Sequence, residues 1–380
     1  MVRKILLGVI VIFLVAGIYI AYEISNAFHE MSIDTGGAIV KDRDDENNSN
    51  DDKQKDDKKK SNDFYALLIG LDSRGQSLTL NTDTIIVAHV LEDKKAVKLI
   101  SLPRDLKVYN SNQVSKKINA IFAEGYQYAR NEGRKNPDLL SGKTVNVGGF
   151  RLAEEYISSG MVTLREKVED ILDIEEISYT FIVNFNTVTE LVDLVGGVEI
   201  NVERSMHYDD SADGTSIHLE PGLQTLNGEQ ALNYARFRKD NRGANYASSD
   251  FDRGLRQQKV ITALVDKLSS WSSLTKMNQI IDAVTKNVKT DMSRSKMISL
   301  ARDLYGQVDG ESIITIPLPS YWQSPFSYVN DEDMEQVKEQ FHALTIEEAD
   351  HTKDEDSAPD VPSSEQNDGS PTVADSVYGN

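Results

Sequence analysis

Carboxylates and arginines are concentrated in four short polar segments, and these residue types handle phosphate groups. The segments are GLDSR at 70–74, NTDT at 81–84, SLPRD at 101–105, and the run 234–258 with YARFRK and DRGLRQQ. Asp72 and Asp83, on neighbouring loops, can share Mg²⁺, which takes one or two protein carboxylates and adds water and phosphate oxygens. Guanidinium groups bind phosphate or pyrophosphate in a bidentate manner. The segments supply Arg104, Arg236, Arg238, Arg253 and Arg256.

The spacing of these residues limits which of them can act together. Arg236 and Arg238 diverge on a continuous helix, so their joint use requires the helix to end there, which the following KDNRG permits. Arg253 and Gln257 are four residues apart and lie on one helix face. Solvated arginines and a turn-forming aspartate explain the same residues. The residues alone therefore leave a metal-assisted phosphate site and ordinary surface charge both open.

The elements that must position these segments indicate an α/β fold, a central mixed β-sheet flanked by helices. Apolar and β-branched runs predict strands at 64–71, 84–90, 97–102, 180–185, 198–202 and 312–319. Helical periodicity predicts helices at 114–128, 164–172, 186–195, 228–238, 255–269, 274–288 and 293–304. Ligands of open α/β sheets bind where loops leave the strand ends, and the first three polar segments stand at such ends.

The N-terminus predicts a membrane anchor. Residues 5–22 form an unbroken apolar run, about 27 Å long as a helix, which matches the hydrocarbon core of a bilayer. Arg3 and Lys4 precede it, so we expect a cytoplasmic tip at 1–4, a single transmembrane helix at 5–22 and everything later outside the cell membrane. A cleaved signal peptide is the alternative, which the length of the run disfavours.

Composition bounds the rest of the chain. The 380 residues carry a formal net charge of −20 and no cysteine, which excludes disulfides, cysteine-ligated zinc and a thiol nucleophile. The acidic balance argues against nucleic acid as a partner. Residues 23–62 predict a charged extracellular linker and 346–380 a disordered acidic tail, because neither has enough apolar surface to bury. The folded domain is expected at 63–345.

Seven blocks in this domain resemble the LytR-CpsA-Psr (LCP) family of bacterial cell-envelope phosphotransferases. They are LLIGLDSRGQ, NTDTIIV, ISLPRDLKV, KINAIFAEG, FIVNFNTVTELVDLVGGVEINV, LEPGLQTLNGEQALNYARFRKD and FDRGLRQQKVI. They follow the family's order from 64 to 261. A single N-terminal anchor with an extracellular domain also resembles the family.

The resemblance implies an enzyme that moves a phosphoglycosyl polymer from a polyprenyl-pyrophosphate carrier to a peptidoglycan hydroxyl. Teichoic acid and capsular polysaccharide are the polymers expected. By motif position, Asp72, Asp83 and Arg104 would be catalytic, and Asp72 and Asp83 would hold Mg²⁺ (or Mn²⁺). The residues implied to bind the pyrophosphate are Arg74, Arg104, Asp105, Arg236, Arg238, Arg253, Arg256 and Gln257. Either Asp72 or Asp83 would serve as the base for the acceptor hydroxyl.

Several features depart from the family pattern. Asn81 stands where the family often has arginine, which supports the alternative of a polyprenyl-phosphate or wall-glycan binding module without catalysis. The loop 239–249 is long, and 125–160 has the glycines of an insertion, either a tolerated loop or a selector of substrates. A transcription attenuator is the third reading, which the short cytoplasmic part disfavours. Near the C-terminus, Tyr321 and Trp322 predict packing over the core or stacking on sugars, with packing favoured.

Overall fold

The computed structural model describes residues 31–40, 63–71, 80–147, 149–211, 214–268, 277–304 and 309–344. The predicted tip, transmembrane helix and acidic tail lie outside these residues. Among the described helices, none combines the length and the apolar character needed to cross a membrane. Residues 31–40 belong to the predicted linker, yet they lie on the folded domain, where the amide of Ile33 donates to the carbonyl of Thr290 at 2.8 Å.

Strands and helices alternate along the described chain, as the sequence predicts. The strands are β1 (Phe64–Leu71), β2 (Thr82–Leu91), β3 (Ala96–Ser101), β4 (Lys107–Tyr109), β5 (Ser115–Lys117), β6 (Thr144–Val147), β7 (Phe150–Ala153), β8 (Ile177–Asn184), β9 (Val198–Val202), β10 (Met206–Asp210), β11 (Thr215–Leu219), β12 (Gly222–Leu226), β13 (Val288–Thr290), β14 (Ile313–Ile316), β15 (Tyr321–Gln323) and β16 (Phe326–Tyr328). The α-helices are α1 (Ile121–Lys135), α2 (Glu154–Leu172), α3 (Phe185–Leu194), α4 (Gly228–Arg236), α5 (Asp250–Leu268), α6 (Met277–Asn287), α7 (Arg294–Leu304) and α8 (Asp331–His342).

A mixed sheet of six strands, in the order β13-β8-β1-β2-β3-β14, forms the centre of the domain. Strands β1 and β8 are parallel, as are β3 and β14, whereas β2 runs antiparallel to both β1 and β3. The end of β1, the start of β2 and the end of β3 therefore meet at one edge. This edge carries the described residues of the first three polar segments, including Asp83 and Arg104.

Alternation along the strands builds a core on each face of the sheet. Leu67 and Ile69 of β1 face a core completed by helices α1, α2 and α8, including Phe122 and Phe341. The alternate face packs residues such as Ala66 with α6, α7 and β13. The sheet is thus covered by helices on both sides, which confirms the predicted α/β architecture.

A smaller core joins α4 and α5 to the hairpins that follow β8. It contains Ile200 of β9, Ile217 of β11, Tyr234 of α4 and Val260 of α5. The pairs β9–β12 and β10–β11 are separate antiparallel ladders outside the central sheet. This core holds α4 and α5 beside the edge of the sheet where the end of β1, the start of β2 and the end of β3 meet. We call this the functional edge.

The helix predicted at 114–128 begins only at Ile121, and the segment 125–160, which has the glycines of an insertion, is more regular than a tolerated loop. Strand β5 and a 3₁₀ turn occupy 115–120, and half of 125–160 belongs to α1 and α2, with β6 and β7 between them. The glycines mark a helix crossing: a Cβ on Gly125 would lie 2.6 Å from the carbonyl oxygen of Ser159, and one on Gly160 would lie 2.9 Å from Phe122. The missing side chains allow close approach of two helices.

Candidate active site

Asp83 and Arg104 form the first contact of the site, at the functional edge of the sheet. Asp83 is the second residue of β2, and Arg104 stands in the turn after β3. Arg104 Nη1 donates to Asp83 Oδ1 at 2.7 Å. Burial on its own lowers the pKa of Arg104, but the charge and hydrogen bond of Asp83 outweigh it and raise that pKa. Arg104 is therefore a fixed cation.

Asp105 is a buried carboxylate that organises the cations around it. Lys117 Nζ lies 2.9 Å from Asp105 Oδ1, and Arg238 Nη2 lies 3.7 Å from Oδ2. Burial alone raises the pKa of Asp105, but the hydrogen bond from Lys117 and the charges of Arg104, Lys117 and Arg238 hold it below its ordinary value. Asp105 thus stays ionised and draws cations from three parts of the chain together.

The end of helix α4 places two arginines on the same side. The helix ends at Arg236, and Phe237 has the extended dihedral angles φ −56° and ψ 127°. Phe237 is fully buried, while Arg236 and Arg238 both line one cleft. The requirement that the helix stop here is met, so the two guanidinium groups can act together.

Helix α5 begins beside this pair because the long loop before it closes on itself. The amide of Ser248 donates to the carbonyl of Arg238 at 2.8 Å. Ser249 and Asp252 cap the helix reciprocally, each backbone amide donating to the other side chain at 3.0 Å. A Cβ on Gly254 would lie 2.8 Å from Ser101 Oγ, so only glycine lets α5 lie this close to the end of β3.

Asp250 and Arg253, on the first turn of α5, complete the cluster. Asp250 Oδ1 lies 3.2 Å from Arg238 Nε and 3.3 Å from Arg253 Nη2. Both Asp250 carboxylate oxygens are buried and without a hydrogen-bond partner. Burial lowers the pKa of Arg253 to about 10, with the nearby charges of Arg104 and Arg238 adding to the effect. Arg253 is a desolvated cation that an anionic ligand would stabilise.

Arg256 is not brought to this cluster. Its side chain is 1% exposed and bonds to Glu203 at 2.9 Å and to the carbonyl of Phe237 at 2.7 Å. Buried in this way, Arg256 links α5 to the segment that follows α4. Asp72 and Arg74 lie outside the described residues.

Two adjoining clefts collect the remaining predicted residues. One of about 190 Å³ is lined by Asp83, Arg104, Arg236, Arg238, Lys239, Arg253 and Gln257, with Tyr208, Thr215 and Ile217 from the β10–β11 hairpin. The other, of about 480 Å³, is lined by Asn81, Asp83, Arg104, Asp105, Lys117, Asn119 and Ala120. Among the described residues, the two linings together contain six cationic side chains and two carboxylates. Such a surface binds anions.

Sequence reasoning missed Asp250 and Lys117. Asp250 stands three residues before Arg253, on the same helix face, and this spacing could have identified it. Lys117 opens the block KINAIFAEG, but its neighbour in space, Asp105, is twelve residues away. Lys117 lines the same cleft as Asn81, so a lysine from β5 adds positive charge to that cleft.

A metal ion would find hard oxygen ligands here. Among the described residues, no three Asp, Glu, His or Cys side chains are grouped to hold a metal. Mg²⁺ commonly uses one or two protein carboxylates with phosphate oxygens and water, and Asp83 fits that mode as a carboxylate beside phosphate-binding arginines.

The chain is similar to known proteins over most of its length. The model of the LytR_cpsA_psr family matches residues 31–343. The chain is 28% identical over 265 residues to the polyisoprenyl-teichoic acid–peptidoglycan teichoic acid transferase TagV of Bacillus subtilis strain 168, covering 67% of this chain and 56% of TagV. It is 30% identical over 256 residues to the transferase of the same type, TagU, of Enterococcus faecalis strain V583, covering 66% of this chain and 69% of TagU.

A solved structure shares the fold. The crystal structure of B. subtilis TagV superposes with a TM-score of 0.53 at 24% identity, covering 74% of this chain and 96% of that one. The chain spans little more than half the length of the TagV sequence. With the family match over most of its length, the chain belongs to the LytR_cpsA_psr family.

Proposed function

We propose that the protein is a phosphotransferase that moves a phosphoglycosyl polymer from a polyprenyl-pyrophosphate carrier to a peptidoglycan hydroxyl. The observation that carries this is the convergence of Arg104, Arg238 and Arg253 on one cationic cleft. Relatives named as teichoic acid transferases support teichoic acid as the class of polymer. The predicted anchor would hold the protein in the cell membrane with this domain outside.

The residues of the cleft suit phosphoryl transfer, which mainly needs in-line positioning and cancellation of charge on the phosphate oxygens. Arg104, Arg238 and Arg253 would bind the pyrophosphate, with Arg236 and Gln257 on the rim. The acceptor hydroxyl attacks the phosphorus next to the sugar, the bond to the polyprenyl-phosphate oxygen breaks, and a carboxylate takes the proton. Asp72 or Asp83 is the proposed base.

Mg²⁺ is part of the proposal, held by Asp83 together with Asp72. When bound, it would cancel charge on the pyrophosphate oxygens. Asp83 also accepts the hydrogen bond of Arg104, so this carboxylate ties the arginine cluster to the proposed metal site.

The test uses the full chain in detergent with a synthetic polyprenyl-pyrophosphate glycan and a peptidoglycan acceptor, with and without Mg²⁺. We expect Mg²⁺-dependent release of polyprenyl phosphate, lost in Asp83→Asn and Arg104→Ala. The matched control is Asp282→Asn, which removes an exposed carboxylate of α6 paired with Lys286 and should leave turnover unchanged. Turnover that survives both substitutions would refute the assignment of the site.

A binding module without catalysis is the alternative that one observation favours. Asn81, which lines the cleft with Asp83 and Arg104, stands where the family often has an arginine, so one phosphate-binding cation is absent from the start of β2. Tight binding of the lipid-linked glycan, with no release under any condition, would establish this alternative.

A further inference from the structure

Beside the cationic clefts, four aromatic rings form a surface that we call the aromatic platform: Tyr109, Tyr321, Trp322 and Tyr328. Trp322 is 54% exposed, and Tyr321 and Tyr109 are each 48% exposed. Predicted packing over the core is therefore wrong for Tyr321 and Trp322. Single exposed apolar residues are ordinary, but clustered ones mark an interaction site.

Three of the rings, those of Tyr109, Tyr321 and Tyr328, are ordered relative to one another. Tyr321 and Tyr328 stack with centroids 5.7 Å apart and an interplanar angle of 21°. Lys107 Nζ lies 5.3 Å from the Tyr109 centroid and 5.6 Å from that of Tyr328. Because one ammonium group contacts both rings, the β15–β16 hairpin and β4 present a single surface.

The platform is fixed to the loop that carries Arg104. The amide of Ser327 donates to the carbonyl of Asp105 at 2.8 Å. Lys117, which pairs with the Asp105 carboxylate at 2.9 Å, also lies over Trp322, 5.3 Å from its centroid. The aromatic surface is therefore held at a set position beside the cationic site.

A third cleft, of about 220 Å³, connects the platform to the site. Arg238, Asp250, Tyr321 and Trp322 are among its lining residues, with serines 248, 249, 320 and 327. Arg238 also lines the cleft that contains Arg104 and Arg253. A ligand lying on the rings can thus extend to the place proposed for the phosphate.

We propose that the platform binds the acceptor, a glycan strand of peptidoglycan, and thereby presents its hydroxyl to the phosphate; this rests on the proposed function. Aromatic faces are electron-rich and attract the weakly positive C–H groups of a sugar ring. Serine hydroxyls along the cleft suit the sugar hydroxyls, and Lys107 and Lys117 suit carboxylates on acidic amino sugars. The acceptor occupies this cleft rather than the donor because its wall holds the Asp250 carboxylate, whereas the donor phosphates require the guanidinium-lined cleft.

The chain offers a direct reporter of this binding. It has two tryptophans, Trp271 and Trp322, so the full chain with Trp271→Phe fluoresces from Trp322 alone. Titration with soluble peptidoglycan glycan oligomers, without any lipid donor, should change that fluorescence saturably. Tyr321→Ala in this background should weaken binding about tenfold, the loss of one ring stack.

The matched control is Tyr246→Ala, which removes a ring that is 46% exposed elsewhere and lies under Arg242. It should leave the glycan affinity unchanged. In the transfer assay, Trp322→Ala should raise the KM for the acceptor and leave the KM for the lipid donor and the affinity for inorganic pyrophosphate unaltered.

Failure of this inference is distinguishable from failure of the proposed function. Transfer with an unchanged acceptor KM in Trp322→Ala and Tyr321→Ala would refute the platform and leave the phosphotransferase standing. Saturable glycan binding at Trp322 without transfer would keep the platform and refute the enzyme. A Trp322 response to anionic phospholipid vesicles, with none to the glycan, would overturn the inference in favour of a membrane-facing surface.

Discussion

Replacing Asp250 by asparagine should destabilise the free protein and strengthen its binding of pyrophosphate. The substitution keeps the shape of the side chain and removes the charge that lies 3.2 Å from Arg238 and 3.3 Å from Arg253. Burial already lowers the pKa of Arg253 to about 10, and the charge of Asp250 is the first of those that oppose the effect. Without the charge of Asp250, the guanidinium groups of Arg104, Arg238 and Arg253 mainly repel one another.

The expected loss of folding free energy is about 3 kcal/mol. Breaking a buried ion pair by removing one partner costs about 3–5 kcal/mol. The lower end applies because Arg238 keeps Asp105 at 3.7 Å and its side chain is 32% exposed. A bound pyrophosphate replaces the missing charge, so we expect an affinity about tenfold higher in Asp250→Asn than in the wild type.

Urea unfolding with and without pyrophosphate measures both effects, and calorimetric titration checks the affinity. Asp252→Asn is the control, because Asp252 caps the same helix by bonding to Ser249. Asparagine keeps an oxygen that can accept from the Ser249 amide, so this substitution should cost less than about 1 kcal/mol, with no change in pyrophosphate affinity. If Asp250→Asn is as stable as Asp252→Asn and binds pyrophosphate no more tightly, the electrostatic reasoning is refuted.

Three further substitutions test other parts of the structure. Gly125→Val should lower the unfolding free energy by more than about 2 kcal/mol in urea titration because its Cβ would overlap Ser159 and Thr163, whereas Gly37→Ala, with 3.9 Å of clearance, should change it little. Glu203→Gln should destabilise the fold by about 2 kcal/mol because the charged hydrogen bond from Arg256 is lost, and it should leave the pyrophosphate affinity unchanged. A large loss of that affinity would show instead that Arg256 contributes to the binding site. The pKa of Asp105 lies below its ordinary 3.8, so its stabilisation is complete above that value and is lost as pH falls through the lowered pKa. As the pH is lowered below about 4, wild-type stability should therefore fall more steeply than that of Asp105→Asn.

The sequence predicts well those features that depend on neighbouring residues. Strands β1 and β9 begin and end at the predicted residues, because short apolar runs bounded by polar turns determine them. The end of α4 near Arg236 also follows from the residues after it. The edge shared by Asp83 and Arg104 follows from the order of the strands.

Features that depend on contacts between distant segments could not be predicted in this way. The glycines of 125–160 give the local pattern of a loop, but Gly125 packs against Ser159 and Gly160 against Phe122, each more than thirty residues away. Arg253 and Arg256 belong to the same arginine-rich segment, and the sequence does not distinguish their roles. Only the position of Glu203 shows that Arg256 stabilises the fold. The hairpin β15–β16 is too short for periodicity, so its exposed rings are visible only in three dimensions.

The carboxylates of the site explain how so many cations are held together before a substrate arrives. Asp83 pairs with Arg104, Asp105 with Lys117, and Asp250 with Arg238 and Arg253. Each carboxylate pairs with a cation that a phosphate oxygen would also use. Binding of pyrophosphate would therefore exchange partners rather than add new charge pairs, and its net affinity would be smaller than the number of arginines suggests. The same exchange would release Asp83 from Arg104 and so leave the proposed base next to the bound phosphate.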